Sequence, residues 1–216
     1  MAYHLSREAR SGINEFNIPK VFKDELFEFQ QKAVLIAAHH LNKRNGVLVG
    51  DVVDLGKTIT ASALAKIYED DFASRILIIC PKNLIQMWED YVYKYELRAK
   101  VLSTSVVQNE LRELKRYNVV ILDESHNLRN RQGKRYRAIQ EYIKENDSKV
   151  ILLTATPYNK TNLDLSNQLR LFVDEEIDIG ISPERFMESV GGQVEFSARY
   201  QTQPRTLAAF KLVFFY

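Results

Sequence analysis

Two short segments of this sequence carry side chains whose types and spacing suit a metal-bound polyphosphate. The first is Gly50-Asp51-Val52-Val53-Asp54-Leu55-Gly56-Lys57-Thr58. It follows an apolar run and opens an amphipathic one. That strand-loop-helix setting turns backbone N–H groups and a helix N-terminus toward an anion. Asp51, Leu55, Gly56, Lys57 and Thr58 would then surround the phosphates. Lys57 would reach the β- and γ-phosphates, and the Thr58 hydroxyl would hold Mg²⁺. The strict phosphate-loop pattern has glycine five positions before Gly56, where Asp51 stands. A chance Gly-Lys-Thr at a helix start is the alternative for this segment alone. The second segment, Val119-Val120-Ile121-Leu122-Asp123-Glu124-Ser125-His126, is an apolar run ending in two acids. Ligands of an open parallel sheet sit at the carboxyl ends of its strands. Asp123 is then placed to hold Mg²⁺ through water, and Glu124 to polarise an attacking water as general base. A solvated acid pair at a strand end is the bland alternative. Together the two segments read as two halves of one nucleotide site.

The elements that must position these residues follow from hydropathy. Gly46–Gly50, Arg75–Cys80, Lys100–Ser103, Asn118–Asp123 and Lys149–Thr154 are short, unalternated runs rich in Val, Ile and Leu. Such runs suit strands buried on both faces. Between them lie helical patterns over Asp24–Asn42, Gly56–Asp70, Asn83–Tyr95, Gln108–Arg116, Gly133–Asn146 and Leu163–Phe172. In the second of these, Ile59, Ala63 and Ile67 recur on one face. The alternation predicts an α/β fold, a parallel sheet with helices on both faces. The pattern fades after Val173, where Gly180, Pro183, Gly191 and Gly192 interrupt. We expect an N-terminal extension over 1–23, a nucleotide-binding lobe over 24–173 and a C-terminal extension over 174–216. The apolar end, Phe210 to Tyr216, suits either an element packed onto the domain or one whose cover lies elsewhere in a longer protein.

Composition narrows the field. At 216 residues the chain holds one good-sized core, and its net charge of +2 is too small to establish a nucleic-acid partner. A single cysteine, Cys80, excludes an intrachain disulfide and sits in an apolar run, as a core thiol does. No stretch approaches the roughly 18 apolar residues of a membrane span. A soluble, cytoplasmic protein is expected. No His/Cys cluster has zinc spacing.

Five segments in order resemble a known family, the Snf-type (switch/sucrose-non-fermenting) superfamily-two helicase-like ATPases. Asp-Glu-Ser-His at 123–126 resembles their motif II, and Leu153-Thr154-Ala155-Thr156-Pro157, followed by Asn159, resembles motif III. Ile79-Cys80-Pro81-Lys82-Asn83-Leu84 with Trp88 resembles motif Ia and its following tryptophan. Phe29-Gln30 resembles the aromatic-Gln pair ahead of the phosphate loop, and Arg129-Asn130 the basic-Asn pair after motif II. The flavour is that of the bacterial or archaeal branch. The resemblance implies the first of two RecA-like lobes, ATP and Mg²⁺ as ligands, and double-stranded DNA as the track. It implies that Gln30 reads adenine, that Lys57, Asp123 and Glu124 serve catalysis, and that Thr58 and Asp123 serve the metal. It further implies that His126, Thr154 and Thr156 couple the site to DNA and to a second lobe. Two departures matter. Nothing after Phe172 resembles the second lobe with its arginine-rich motif, and Asp54 stands where the family has glycine.

The dense basic stretch Arg129, Arg131, Lys134, Arg135, Arg137 has two readings. It is a patch that tracks backbone phosphates, or a solvated helix start balanced by Glu141, Glu145 and Asp147. Trp88, Tyr91 and Tyr95 are spaced for one helix face and read as core packing, with base stacking the alternative. The expected function is the ATP-binding lobe of a DNA-dependent ATPase of helicase or translocase type. The competing reading is a nucleotide- or DNA-binding module of little turnover that docks on a partner.

Overall fold

A computed structural model describes residues 14–50, 56–128, 130–155, 167–174 and 188–201. Five strands form one sheet: β1 (Gly46–Gly50), β2 (Ile76–Cys80), β3 (Ala99–Ser103), β4 (Val119–Leu122) and β5 (Lys149–Thr154). Their order is β1-β5-β4-β2-β3, and every pairing is parallel. Helices among the described residues include α1 (Lys20–Lys23), α2 (Glu28–Arg44), α3 (Lys57–Phe72), α4 (Ile85–Lys94), α5 (Val107–Glu110), α6 (Lys134–Asn146) and α7 (Gln193–Tyr200).

Strand side chains alternate between two cores, which is why the runs are apolar at every position. Ile76, Ile78, Val119, Ile121, Ile151 and Leu153 face one core, completed by Val34 and Leu41 of α2, Leu64 and Ile67 of α3, and Trp88 of α4. Leu77, Ile79, Val120, Leu122, Val150 and Leu152 face the other, closed by Tyr136, Ile139 and Ile143 of α6 with Val107 and Leu111. Each such fully buried aliphatic side chain contributes about 1.5–3 kcal/mol of transfer free energy. The sheet is thus covered on both faces, as expected. Phe16, Ile18 and Phe22, ahead of α2, also belong to the first core.

Two expected helices differ. The pattern over Asp24–Asn42 is broken before Glu28, because Gln30 Oε1 accepts from the Phe27 N–H at 2.9 Å and caps α2 there. The pattern over Gln108–Arg116 holds only one turn of α-helix, then a 3₁₀ turn over Leu111–Glu113 and an extended Leu114. The Tyr142 hydroxyl donates to Lys115 O and accepts from Tyr117 N, and these bonds draw the backbone out of the helix. Of Leu163–Phe172, only the part from Asn167 is described, beginning with a helical turn. Helix α7 was not expected; its Phe196 is fully buried.

Candidate functional site

The sheet register brings the chemical residues to one edge. Gly50 at the end of β1 pairs with Thr154 at the end of β5, and Leu122 at the end of β4 pairs with Leu152. The start of α3 follows β1, the two acids follow β4, and Thr154 stands on the strand between them. This is the carboxyl edge of a parallel sheet, where such folds bind ligands.

The β4 end is held tightly. Asp123 N donates to Ile79 O at 2.9 Å and prolongs the ladder with β2 by one residue. The Asp123 carboxylate receives the Glu124 N–H on Oδ1 at 2.8 Å and the Trp88 indole N–H on Oδ2 at 2.9 Å. Glu124 turns the chain with φ 50°, a left-handed conformation that costs a non-glycine residue roughly 1–2 kcal/mol. Its side chain lies 3.1 Å from His126 Nδ1, and the same nitrogen lies 3.3 Å from Thr154 Oγ1. Asp123, Glu124, His126 and Thr154 therefore form one continuous cluster. Ser125, fully buried, donates to Gln168 Oε1 at 2.6 Å and ties the turn to the segment after β5.

The second cluster surrounds the start of α3. Gly56 caps the helix with φ 75°, and no side chain supplies the cap bond. A Cβ at Gly56 would lie 2.7 Å from Gln30 Nε2 and 3.1 Å from Ile59 Cγ2. Glycine is needed there twice, for its backbone angle and for the close approach of Gln30. Gln30 is buried, with its carbonyl oxygen on Phe27 N–H and its amide nitrogen toward Gly56. Phe27 and Phe29, both exposed, stack with centroids 5.9 Å apart beside it. Lys57 and Thr58 occupy the first turn of α3 and are half-buried. Asp51, Asp54, Leu55, Arg129 and Thr156 lie outside the described residues.

Arg131, Lys134 and Arg135 are exposed around the start of α6. Lys134 and Arg135, with Gln108, Asn127, Asn130 and Tyr136, line an open cleft of about 360 Å³. Cys80 is a buried thiol; burial first, then the negative charges of Asp123 and Glu89, push it up to about 12. It is protonated and unreactive at neutral pH. No described helix is long and apolar enough to cross a membrane.

Sequence reasoning missed three contacts: Trp88 to Asp123, Ser125 to Gln168, and Phe27 with Gln30. A buried tryptophan demands an acceptor for its N–H, which was a usable signal. Nothing along the chain says which acceptor is near.

The chain as a whole resembles known proteins. A Caenorhabditis elegans protein, the SWI/SNF-related matrix-associated actin-dependent regulator of chromatin subfamily A-like protein 1 homolog, is 24% identical over 94% of this chain and 32% of its own length. The Drosophila melanogaster protein of the same description is 29% identical over 68% of this chain and 22% of its own. The chain thus spans less than a third of these relatives. The solved Sulfolobus solfataricus SWI2/SNF2 ATPase core in complex with dsDNA superposes with a TM-score of 0.63 at 19% identity, over 98% of this chain and 45% of that one. That likeness shows the fold alone, a RecA-like parallel sheet with helices on both faces. The family profile described as DEAD/DEAH box helicase matches residues 38–165, and the chain belongs to that family.

Proposed function

We propose that this chain is the ATP-binding lobe of a DNA-dependent ATPase of the helicase or translocase type. One observation carries the reading: a glycine-capped helix start after β1 and a two-acid turn after β4 share the carboxyl edge of one sheet, with Thr154 between them. The Snf-type relatives and the duplex-bound neighbour support a nucleic-acid track.

The residues fit Mg²⁺ and ATP. Among the described residues no three His, Cys, Asp or Glu side chains are grouped to hold a metal alone. Mg²⁺ needs no such group, since one or two carboxylates with phosphate and water oxygens satisfy it. Asp123 offers a hard carboxylate and Thr58 a hydroxyl at the start of α3. Mg²⁺ held by Thr58 and, through water, by Asp123 would supply charge neutralisation at the transferring phosphoryl group.

The protein's own groups would act as follows. The first turn of α3 presents backbone N–H groups and Lys57 to the β- and γ-phosphates. Asp123, fixed by two donors, would help hold the metal through water. Glu124 accepts a proton from the attacking water. His126 Nδ1, within reach of both Glu124 and Thr154, reports the state of that acid to the end of β5. Exposed Arg131, Lys134 and Arg135 would follow a DNA backbone without reading bases. A second RecA-like lobe, in the same chain or another, would complete the site with arginines.

Titration calorimetry of a non-hydrolysable ATP analogue with Mg²⁺ tests the proposal. Micromolar binding to wild type, lost in Lys57→Ala and weakened in Asp123→Asn with both variants folded, is expected. Affinity indifferent to both substitutions would refute it.

A further inference from the structure

Trp88 is the single tryptophan of the chain and is fully buried. Its indole N–H ends on Asp123 Oδ2 at 2.9 Å, while the Glu124 N–H ends on Oδ1 at 2.8 Å. Each carboxylate oxygen therefore receives one donor, and each keeps a lone pair for the open side of the site. With one donor on each oxygen, the carboxylate plane is fixed.

The indole itself is immobilised. Trp88 packs against Tyr91 with centroids 6.3 Å apart, Tyr91 against Tyr95 at 5.8 Å, and Tyr95 stacks on Phe22 at 4.2 Å. This aromatic row runs from the end of β4 to α1. Tyr95 and Phe22 are buried in the same core as Trp88, and Tyr91 packs against it. A buried indole N–H needs an acceptor, and a backbone carbonyl would satisfy it. Here the acceptor is a carboxylate half-exposed at the ligand-binding edge of the sheet.

We propose that Trp88 is a positioning residue that sets the orientation of Asp123 toward metal-bound nucleotide. The proposal rests on the reading of Asp123 as the acid that faces Mg²⁺. With the N–H removed, Oδ2 loses its donor from the core, and the carboxylate, then held by the Glu124 N–H on Oδ1, turns more freely about Cβ–Cγ. Outer partners of this kind are typically worth about 10–100-fold in metal affinity. Asp123 is expected to act through water, so the lower end applies, about tenfold. Binding of nucleotide without metal does not use Asp123 and stays unchanged.

Trp88→Phe keeps an aromatic ring in the row and deletes only the donor and the outer ring. Calorimetry with ADP, in Mg²⁺ and in EDTA, measures how much the metal adds to affinity. The expected result is a metal advantage in wild type that falls about tenfold in Trp88→Phe, with equal affinities in EDTA. A wild-type metal advantage fully retained in Trp88→Phe overturns the positioning role alone. No metal advantage in wild type overturns the reading of Asp123 and this proposal with it. Should Trp88→Phe fail to fold, the wild-type chain decides. Its ¹⁵N spectrum holds a single indole N–H resonance, because there is one tryptophan. That resonance should move on adding Mg²⁺ to the ADP-bound protein and should move upfield in Asp123→Asn. An indole signal indifferent to both overturns the proposal.

Discussion

Replacing Gly56 by alanine should cost the protein about 2–3 kcal/mol, and the structure divides that cost into two parts. Gly56 has φ 75°, which for a residue with a Cβ is worth roughly 1–2 kcal/mol. The new Cβ would also stand 2.7 Å from Gln30 Nε2. The end of a free glutamine could swing away at little cost. Gln30 is buried and its Oε1 is committed to the Phe27 N–H at 2.9 Å. Moving the amide strains or breaks the bond that starts α2, at about 1 kcal/mol. Urea denaturation of four proteins tests the division: wild type, Gly56→Ala, Gln30→Ala and the double variant. Gln30→Ala removes both the cap and the obstacle, so the two costs should be less than additive by about 1 kcal/mol. What remains in the Gln30→Ala background should be the backbone strain alone. Strict additivity, or a Gly56→Ala cost below about 0.5 kcal/mol, would refute the argument that Gln30 and the α3 cap are built against each other.

Three further outcomes are expected. Asp54→Gly should tighten Mg²⁺–ATP analogue binding by calorimetry; one carboxylate near the polyphosphate opposes binding by about 1–3 kcal/mol after partial screening, roughly 5- to 150-fold, and equal affinities would place that charge in solvent. The Arg131/Lys134/Arg135 triple alanine variant should flatten the salt dependence of DNA binding by about one unit of slope per lost phosphate contact, whereas an unchanged slope would leave these residues as a solvated helix start. ATP turnover by the 216-residue chain alone should be weak, because an arginine that stabilises the transferring phosphoryl group is worth about 10³–10⁵ in rate and none of the sequence resembles the motif that supplies it; robust DNA-stimulated hydrolysis, abolished by Glu124→Gln, would contradict this.

The sheet was legible because burial on both faces leaves an unmistakable mark, with no polar residue interrupting Ile76–Cys80 or Val119–Leu122. The acids were legible for the same reason, since a strand that ends abruptly in Asp123-Glu124 advertises its carboxyl end. Local pattern failed where a distant side chain took over backbone groups. Leu111 to Tyr117 has helical composition, yet Tyr142 holds Lys115 O and Tyr117 N in a non-helical path. Gln30 was readable as polar and near the phosphate loop, but not as the residue that caps α2 and abuts Gly56. Trp88 read correctly as core. Its bond to Asp123 joins residues far apart in sequence, and depends on how α4 packs against the sheet, which no periodicity encodes. The glycines at 191 and 192 read as interruptions; Gly192 is instead the N-cap of α7, whose Phe196 finds a buried place.

The central claim is that the start of α3 and the end of β4 serve one nucleotide. A crystal structure of the chain grown with Mg²⁺ and a non-hydrolysable ATP analogue tests it most directly. The account predicts the β- and γ-phosphates on the N-terminus of α3 within hydrogen-bond reach of Lys57 Nζ, about 3 Å. It also predicts the metal on Thr58 Oγ1, with a bound water bridging to Asp123. An analogue seated away from this edge, or one held by Lys57 while the metal lies beyond any water bridge to Asp123, would contradict it.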